Sequence, residues 1–273
     1  MHTLAFVVVP LAAIGVVYGA GVTRLWRRAG RGKGLSTWNA ASFAAGWTIT
    51  AIALLSPIAR ISEILFSMHM TQHTLLMLVA APLMAFGQPL LASLWMFSDD
   101  ARERVAASTR HACITATWRF MTAPLTAFVL QAGALWIWHV PRLYQAALAD
   151  DGVHAIQHLS FVIAASMFWW AMVHGRYGRR GYGLAVVYVF LTALHSGALG
   201  ALLAFAPSPW YHDYVRRGAA WHVDALADQQ LAGLLMWIPA GVVFIVLGLA
   251  LFAAWMGEAE RRVRFGATDA AAR

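Results

Sequence analysis

The sequence predicts an all-α, polytopic membrane protein, a bundle of seven transmembrane helices. Three observations support this fold class. Apolar residues make up 60% of the 273 residues, charged residues only 12%, and the mean hydropathy is +0.62. A soluble protein normally carries about 25% charged residues. Apolar runs of about 20 residues, enough to cross a bilayer, recur along the chain, and most basic residues fall between them.

Seven segments have the length and hydropathy that a transmembrane helix needs. They are 4–23, 38–56, 67–96, 120–139, 154–174, 183–206 and 229–256. The third is long enough to contain a kink, which Pro82, Gly87 and Pro89 would cause, because proline interrupts helical hydrogen bonding. The sequence contains no recognisable linker or soluble domain, so we expect residues 1–273 to form a single integral membrane domain.

The basic residues predict the orientation of the bundle. Sixteen of the 20 lysines and arginines lie in four regions: after span one, between spans three and four, between spans five and six, and in the C-terminal tail. The remaining four are Arg60, Arg142, Arg216 and Arg217. The positive-inside rule then predicts an outside N-terminus and a cytoplasmic C-terminus. This topology explains the net charge of +8, so the charge does not indicate nucleic acid as a partner; the bilayer is the expected environment.

Two short runs share the pattern H-x-x-Q-H, residues 69–73 and 154–158, each near the predicted outer end of an apolar segment. On an α-helix, residues i, i+3 and i+4 lie on one face. Each run therefore projects two imidazoles and one amide from the same side. Imidazole is the commonest metal ligand in proteins, and polar groups within a membrane are costly unless they serve a purpose.

Two further histidines join this set of predicted metal ligands. His139 ends span four at its outer end, whereas His195 lies near the middle of span six, and its membership of an outer cluster is left open. The full set is His69, His73, His139, His154, His158 and His195. A structural hydrogen-bond network is the alternative, but the spans contain almost no carboxylate to partner the imidazoles. A shared metal or cofactor site is therefore favoured.

Neighbouring side chains are predicted to support the site. They are Gln72, Gln157, Asp228, Gln229, Met68, Met70 and Trp138. The glutamines either orient imidazoles or form interhelical hydrogen bonds. The methionines either ligate Cu(I) or, as we favour, line the site. In the 207–228 loop, aromatic side chains such as Tyr211 and Tyr214 suit a belt at the membrane interface.

Enzyme signatures are missing from the sequence, and we expect a protein that is not an enzyme. A zinc protease with H-E-x-x-H needs a glutamate after the first histidine, but Met70 and Ala155 occupy that place. Cys113 is the single cysteine, so a thiolate cluster is excluded. A haem-binding redox protein with paired histidine ligands is one alternative to metal binding. A transporter is another, although the cytoplasmic halves of the spans carry few polar residues.

The motifs together resemble the CtaG-type cytochrome c oxidase assembly proteins of bacteria, which have seven spans. The matching stretches are 69–76, Ala81-Pro82-Leu83, Gly87-Gln88-Pro89, Trp138-His139, 158–161, 168–170, His195, 228–233 and 236–239. They cover residues 38–256 in the family's order. Many family members have a second proline where this chain has Leu83. This difference can alter the kink of span three but does not argue against the metal site.

The resemblance implies a function that the spacing of histidines cannot supply. It implies a non-enzymatic factor for maturing a haem–copper oxidase, located in the bacterial inner (plasma) membrane as a multi-pass protein. Copper is then the expected metal, with haem as the alternative. The expected partner is one or more cytochrome c oxidase subunits within the membrane.

Overall fold

The computed structural model describes residues 2–175 and 181–271, and all regular structure within these ranges is helical. The α-helices are α1 (His2–Ala29), α2 (Thr37–Leu55), α3 (Pro57–Ile61), α4 (Phe66–Thr74), α5 (Ala81–Phe86), α6 (Pro89–Met96), α7 (Asp99–Ser108), α8 (Ala112–Met121), α9 (Pro124–Trp138), α10 (Pro141–Ala149), α11 (Asp151–His174), α12 (Gly181–Ala204), α13 (His212–Ala219) and α14 (Ala225–Ala271). A π-helical segment, Leu75–Ala80, joins α4 to α5. Four of the arginines used for the topology, Arg176, Arg179, Arg180 and Arg273, lie outside the described residues.

Five helices are each long and apolar enough to cross a membrane: α1, α2, α11, α12 and α14. Two bent pairs of helical segments pass the same test when each pair is taken as one span. The described residues thus contain five to seven candidate spans, each of which overlaps one of the predicted segments. The number of seven and the orientation of the bundle remain predictions.

The kink predicted in span three is present. Its two arms, Phe66–Phe86 and Pro89–Met96, meet at an angle of 56°. Gln88 between them has a positive φ of 51°, which breaks the run of helical hydrogen bonds. Pro89 then starts α6, where its missing N–H costs nothing. The bend at Gln88 lies 15 residues beyond His73 and therefore outside α4.

The π-helical segment precedes Pro82 and has a clear chemical cause. Proline has no N–H and its ring crowds the preceding turn, and a wider turn relieves this conflict. The N–H of Ala81 donates to the carbonyl of Leu76, five residues earlier. The next carbonyl, that of Met77, would pair with the backbone nitrogen of Pro82, which has no hydrogen to donate. It accepts a hydrogen bond from Trp169 Nε1 instead, at 2.8 Å. The segment is thereby fixed against α11.

The sequence predicts span four as one continuous helix over 120–139, but the structure divides this region. Two helices, α8 and α9, meet there at an angle of 57°. Ala123 is extended (φ −64°, ψ 136°) because a residue before proline is disfavoured in the α conformation. Helix α9 therefore starts at Pro124 and ends at Trp138, and a span of sufficient length requires part of α8.

Helices α12 and α14 approach each other closely at two glycines. A Cβ atom on Gly200 would lie 2.9 Å from the carbonyl oxygen of Gly233, so a side chain there would separate the helices. Close backbone approach at small residues is a common way for membrane helices to associate. This pairing places the start of α14 beside α4, where it contributes to the site described below.

The predicted orientation can be tested with fusions at two points of the chain. We expect a fluorescent protein fused after Arg264 to fluoresce, because sixteen basic residues should hold that side in the cytoplasm. Alkaline phosphatase at the same point should be inactive. The matched fusions after Asp150, in the predicted outer loop, should behave in the opposite way. Active phosphatase after Arg264 would reverse the topology.

Candidate metal centre

Four imidazoles from two helices face one another at the centre of the bundle. Within α4 the ring centroids of His69 and His73 are 4.3 Å apart, and within α11 those of His154 and His158 are 4.4 Å apart. Between the helices, His69 lies 5.7 Å from His154, and His73 lies 5.1 Å from His158. The two H-x-x-Q-H motifs therefore form one cluster, in the juxtaposition that their spacing predicts.

Three of these residues lie close enough together to hold a metal ion after a small movement. One ligand atom of each of His69, His154 and His158 lies within 4.8 Å of the others. Two ligands of one ion, each about 2 Å from it, can be at most about 4 Å apart. A side-chain movement of about 1 Å would therefore bring the three nitrogens around one ion. We call these three residues the outer triad.

The imidazoles have no protein partner for their inner nitrogens. The Nε2 atoms of all five histidines of the predicted outer cluster are buried and make no hydrogen bond: His69, His73, His139, His154 and His158. A structural network would join these atoms to donors or acceptors, since an unsatisfied buried polar atom costs about 1–3 kcal/mol. The orphaned nitrogens fit a metal ion that the imidazoles would bind.

His139 approaches the cluster from the end of α9. Its Nδ1 lies 2.7 Å from the carbonyl oxygen of Leu135, which can only accept, so Nδ1 carries the proton. The Nε2 atom then has a free lone pair, as a ligating histidine requires. Its backbone carbonyl accepts a hydrogen bond from the Tyr211 hydroxyl at 3.0 Å. Side chain and backbone are thus both held in place.

His195 is separate from the other predicted ligands. Its ring contacts Phe128 with a centroid distance of 5.5 Å, and no ring contact with the other imidazoles occurs within the described part of the chain. Both of its ring nitrogens are buried without a partner. The structure therefore does not group it with the clustered imidazoles.

Aromatic side chains cover the cluster, and here the structure corrects a prediction. Tyr211 and Tyr214 are 2% and 4% exposed, so they do not form an interfacial belt. They pack with Phe66 and Tyr144 instead, and the Tyr144 ring contacts the His69 ring edge-on, with centroids 5.5 Å apart. The sequence reasoning missed Tyr144; its only signal was its position in the helix that directly follows His139.

The tyrosine hydroxyl groups of this aromatic cover connect distant segments of the chain by hydrogen bonds. Tyr214 donates to the carbonyl of Ser62 at 3.1 Å, and its oxygen lies 3.4 Å from that of Tyr144. Burial raises the pKa of Tyr211 and of Tyr214 above the ordinary range for tyrosine. Both side chains therefore stay protonated and keep donating their hydrogen bonds at physiological pH.

Asp228 supports the centre through the backbone of α4. Its carboxylate accepts from the N–H of Phe66 at 2.7 Å, from the N–H of Ser67 at 3.2 Å, and from the Ser67 hydroxyl. Leu65, the N-cap residue of α4, provides no side-chain cap. Asp228 thus caps, from α14, the helix that carries His69 and His73. Next to it, Gln229 accepts from the N–H of Trp210 at 2.7 Å.

The remaining predicted supporting residues have various roles. Gln72 donates to the Ala53 carbonyl at 2.9 Å, which is the interhelical alternative. Gln157 is 1% exposed and its Nε2 has no partner. Trp138 donates to the Ser160 hydroxyl at 2.7 Å. Met70 is buried in the core. Met68 is half-buried and is not part of the triad.

A family model described as cytochrome c oxidase caa3 assembly factor (Caa3_CtaG) matches residues 16–258. The match covers both motifs and the aromatic cover. The chain belongs to this family. The resemblance drawn from its motifs is thereby confirmed, and the histidine cluster lies within the matched region.

Individual relatives are more distant. An uncharacterised protein of Mycobacterium leprae is 24% identical over 261 residues, which cover 91% of this chain and 38% of the relative. Uncharacterised proteins of Mycobacterium bovis and Mycobacterium tuberculosis are each 24% identical over 273 residues, covering 93% of this chain and 39% of theirs. The chain thus spans less than two fifths of the length of these relatives. No solved structure matches it significantly.

Proposed function

We propose that this protein is a non-enzymatic assembly factor of the bacterial plasma membrane that binds copper in the outer triad and delivers it to a haem–copper oxidase. The observation that carries the proposal is the convergence of His69, His154 and His158, with ligand atoms within 4.8 Å. The membership of the family supports the oxidase as client. The lateral partner is an oxidase subunit in the same membrane.

The chemistry of the donors favours copper. The triad offers only imidazole nitrogens, which suit copper, zinc and iron, and the Irving–Williams order favours Cu(II) among these divalent ions. No cysteine sulfur lies in the triad, since Cys113 is exposed on another helix. A metal held without thiolate can exchange more readily, and exchange is what delivery to another protein requires.

The dimensions of the site favour an ion over haem. The cavity beside the cluster has a volume of about 70 Å³, whereas pockets for organic cofactors usually measure about 300–1,000 Å³. His69 and His73 are also neighbours on one helix, with rings only 4.3 Å apart and inclined at 61°. Imidazoles that ligate one haem come from opposite faces of the porphyrin, which needs a wide slot between helices.

Metal is expected to enter past His154. This imidazole and that of His158 are half-buried, while His69 is 1% exposed, and His154 is the one nearer the start of α11. It lies at the start of α11, three residues beyond Asp151, whose carboxylate would attract a cation. The aromatic cover closes the other approach.

We expect the protein purified in detergent from copper-replete cells to contain copper and to lack a Soret band. Metal analysis together with an optical spectrum measures both quantities on one sample. Imidazole ligands without a porphyrin slot predict this result. Stoichiometric haem with negligible copper would instead support the haem-binding alternative, and zinc alone would retain the site but exclude copper delivery.

A further inference from the structure

A cavity of about 70 Å³ adjoins the outer triad one helical turn further along α4. Side chains from α4, the π-helical segment, α9, α11, α12 and α14 line it. Its lining includes two imidazoles, one amide and three thioethers, those of His73, His139, Gln131, Met70, Met77 and Met236. None of these belongs to the outer triad.

Three of the cavity's polar atoms are buried and unpartnered. They are Nε2 of His73, Nε2 of His139 and Oε1 of Gln131. These side chains are 6%, 3% and 8% exposed, respectively. In an apolar interior such atoms normally have a hydrogen-bond partner. Three orphaned atoms around one cavity therefore indicate that the cavity holds an occupant that they bind.

The atoms facing the cavity are electron-pair donors. His139 uses its Nδ1 proton on Leu135, so its Nε2 carries a lone pair. The amide oxygen of Gln131 can only accept hydrogen bonds or bind a cation, and thioether sulfur is a soft donor. A cation suits this set, and a monovalent one is cheaper to desolvate than a divalent one.

We infer that this cavity is a second metal site, which takes Cu(I) through the imidazoles of His73 and His139 and the thioethers of Met70, Met77 or Met236. This inference rests on the proposed function. The His73 ring lies 4.3 Å from that of His69 and 5.1 Å from that of His158. A copper ion can therefore pass from the outer triad to the inner site by exchanging neighbouring imidazoles, without leaving the protein.

Water is the alternative occupant. The cavity volume of about 70 Å³ leaves room for several water molecules, since one needs about 10–15 Å³ of such space. Water could donate to the nitrogen and oxygen atoms, but thioethers are weak acceptors. Three methionines around the cavity are thus better explained by a soft ion.

The test is a titration of the purified full chain with Cu(I) alone, without oxygen, against a colorimetric Cu(I) chelator. We expect two copper ions per wild-type chain, and X-ray absorption should detect sulfur ligands. In His154→Ala/His158→Ala one ion should remain, with sulfur still bound. In Met77→Leu/Met236→Leu, which nearly conserves side-chain volume, the sulfur signal should diminish. Met84→Leu, outside the cavity, is the matched control.

Each outcome has a distinct meaning. Two ions with sulfur that responds to the cavity methionines support the second site. One ion with nitrogen ligands only, lost in His154→Ala/His158→Ala, overturns the second site while the proposed function stands. One ion with sulfur that survives His154→Ala/His158→Ala would retain the inner site and remove the outer triad. If no copper binds to a folded wild-type protein, both the inference and the proposed function fail.

Discussion

Replacing His158 with alanine is expected to abolish copper binding at the outer triad and to prevent oxidase maturation, while the protein still folds and inserts. Among the imidazoles, His158 makes ring contacts with His69, His73 and His154. Loss of a residue that merely orients a ligand typically costs 10–100-fold in metal affinity. Loss of the ligand itself should cost more than about 100-fold.

The fold should survive because the helix depends little on this side chain. Helix α11 is 24 residues long and apolar enough to insert on its own hydropathy. Alanine is the strongest helix former. Copper affinity by chelator competition and oxidase activity in cells measure the expected losses, and helical content by circular dichroism verifies folding.

Two other histidines provide controls for this variant. His212 is exposed at the start of α13, and His111 lies before α8. His212→Ala and His111→Ala should leave copper affinity and oxidase activity unchanged. If His158→Ala also leaves both unchanged, the cluster is a structural network and the outer triad does not bind the metal that the oxidase receives.

The helices and the main juxtaposition could be predicted because they follow from local rules. Hydropathy locates the apolar segments, and the i, i+4 spacing puts His69 and His73 on one face, as it does His154 and His158. In a membrane such polar faces gain by meeting each other. The kink at Gln88 was equally predictable from the flanking glycine and proline.

The missed features depend on contacts between distant parts of the chain. Asp228 caps a helix whose first residue precedes it by 162 positions, and sequence spacing contains no signal for such a pairing. Tyr211 and Tyr214 look like interfacial residues by composition, yet the loop folds inward over His69. The split between the outer triad and the methionine-lined cavity depends on packing distances within one cluster, which periodicity cannot resolve.

The role of Asp228 leads to the second large effect. Asp228→Ala should lower the free energy of unfolding by roughly 3 kcal/mol, because hydrogen bonds to a charged group contribute about 1.5–3 kcal/mol each and buried N–H groups are left unpaired. Phe66 and Ser67 would lose their acceptor at the start of α4. Since His69 lies in that first turn, its ring should lose its fixed position and copper affinity should fall about tenfold.

Asp224 offers a matched comparison for this cap. Its exposed carboxylate accepts from the N–H groups of Leu226 and Ala227 at the start of α14, away from the imidazoles. Asp224→Ala should cost about 1 kcal/mol, as for an ordinary exposed N-cap, and leave copper affinity at its wild-type value. Thermal unfolding in detergent and chelator competition measure both effects.

The two measurements separate a structural cap from a residue that positions the metal ligands. Asp228→Asn keeps one acceptor oxygen, so it should retain part of the hydrogen bonding and lie between wild type and Asp228→Ala in both stability and affinity. Equal copper affinity in wild type, Asp228→Asn and Asp228→Ala, with stability falling along that series, would restrict Asp228 to folding. A parallel decline of both quantities would mean that the interhelical cap sets the position of His69, because the carboxylate holds the backbone at the start of the helix that carries this imidazole.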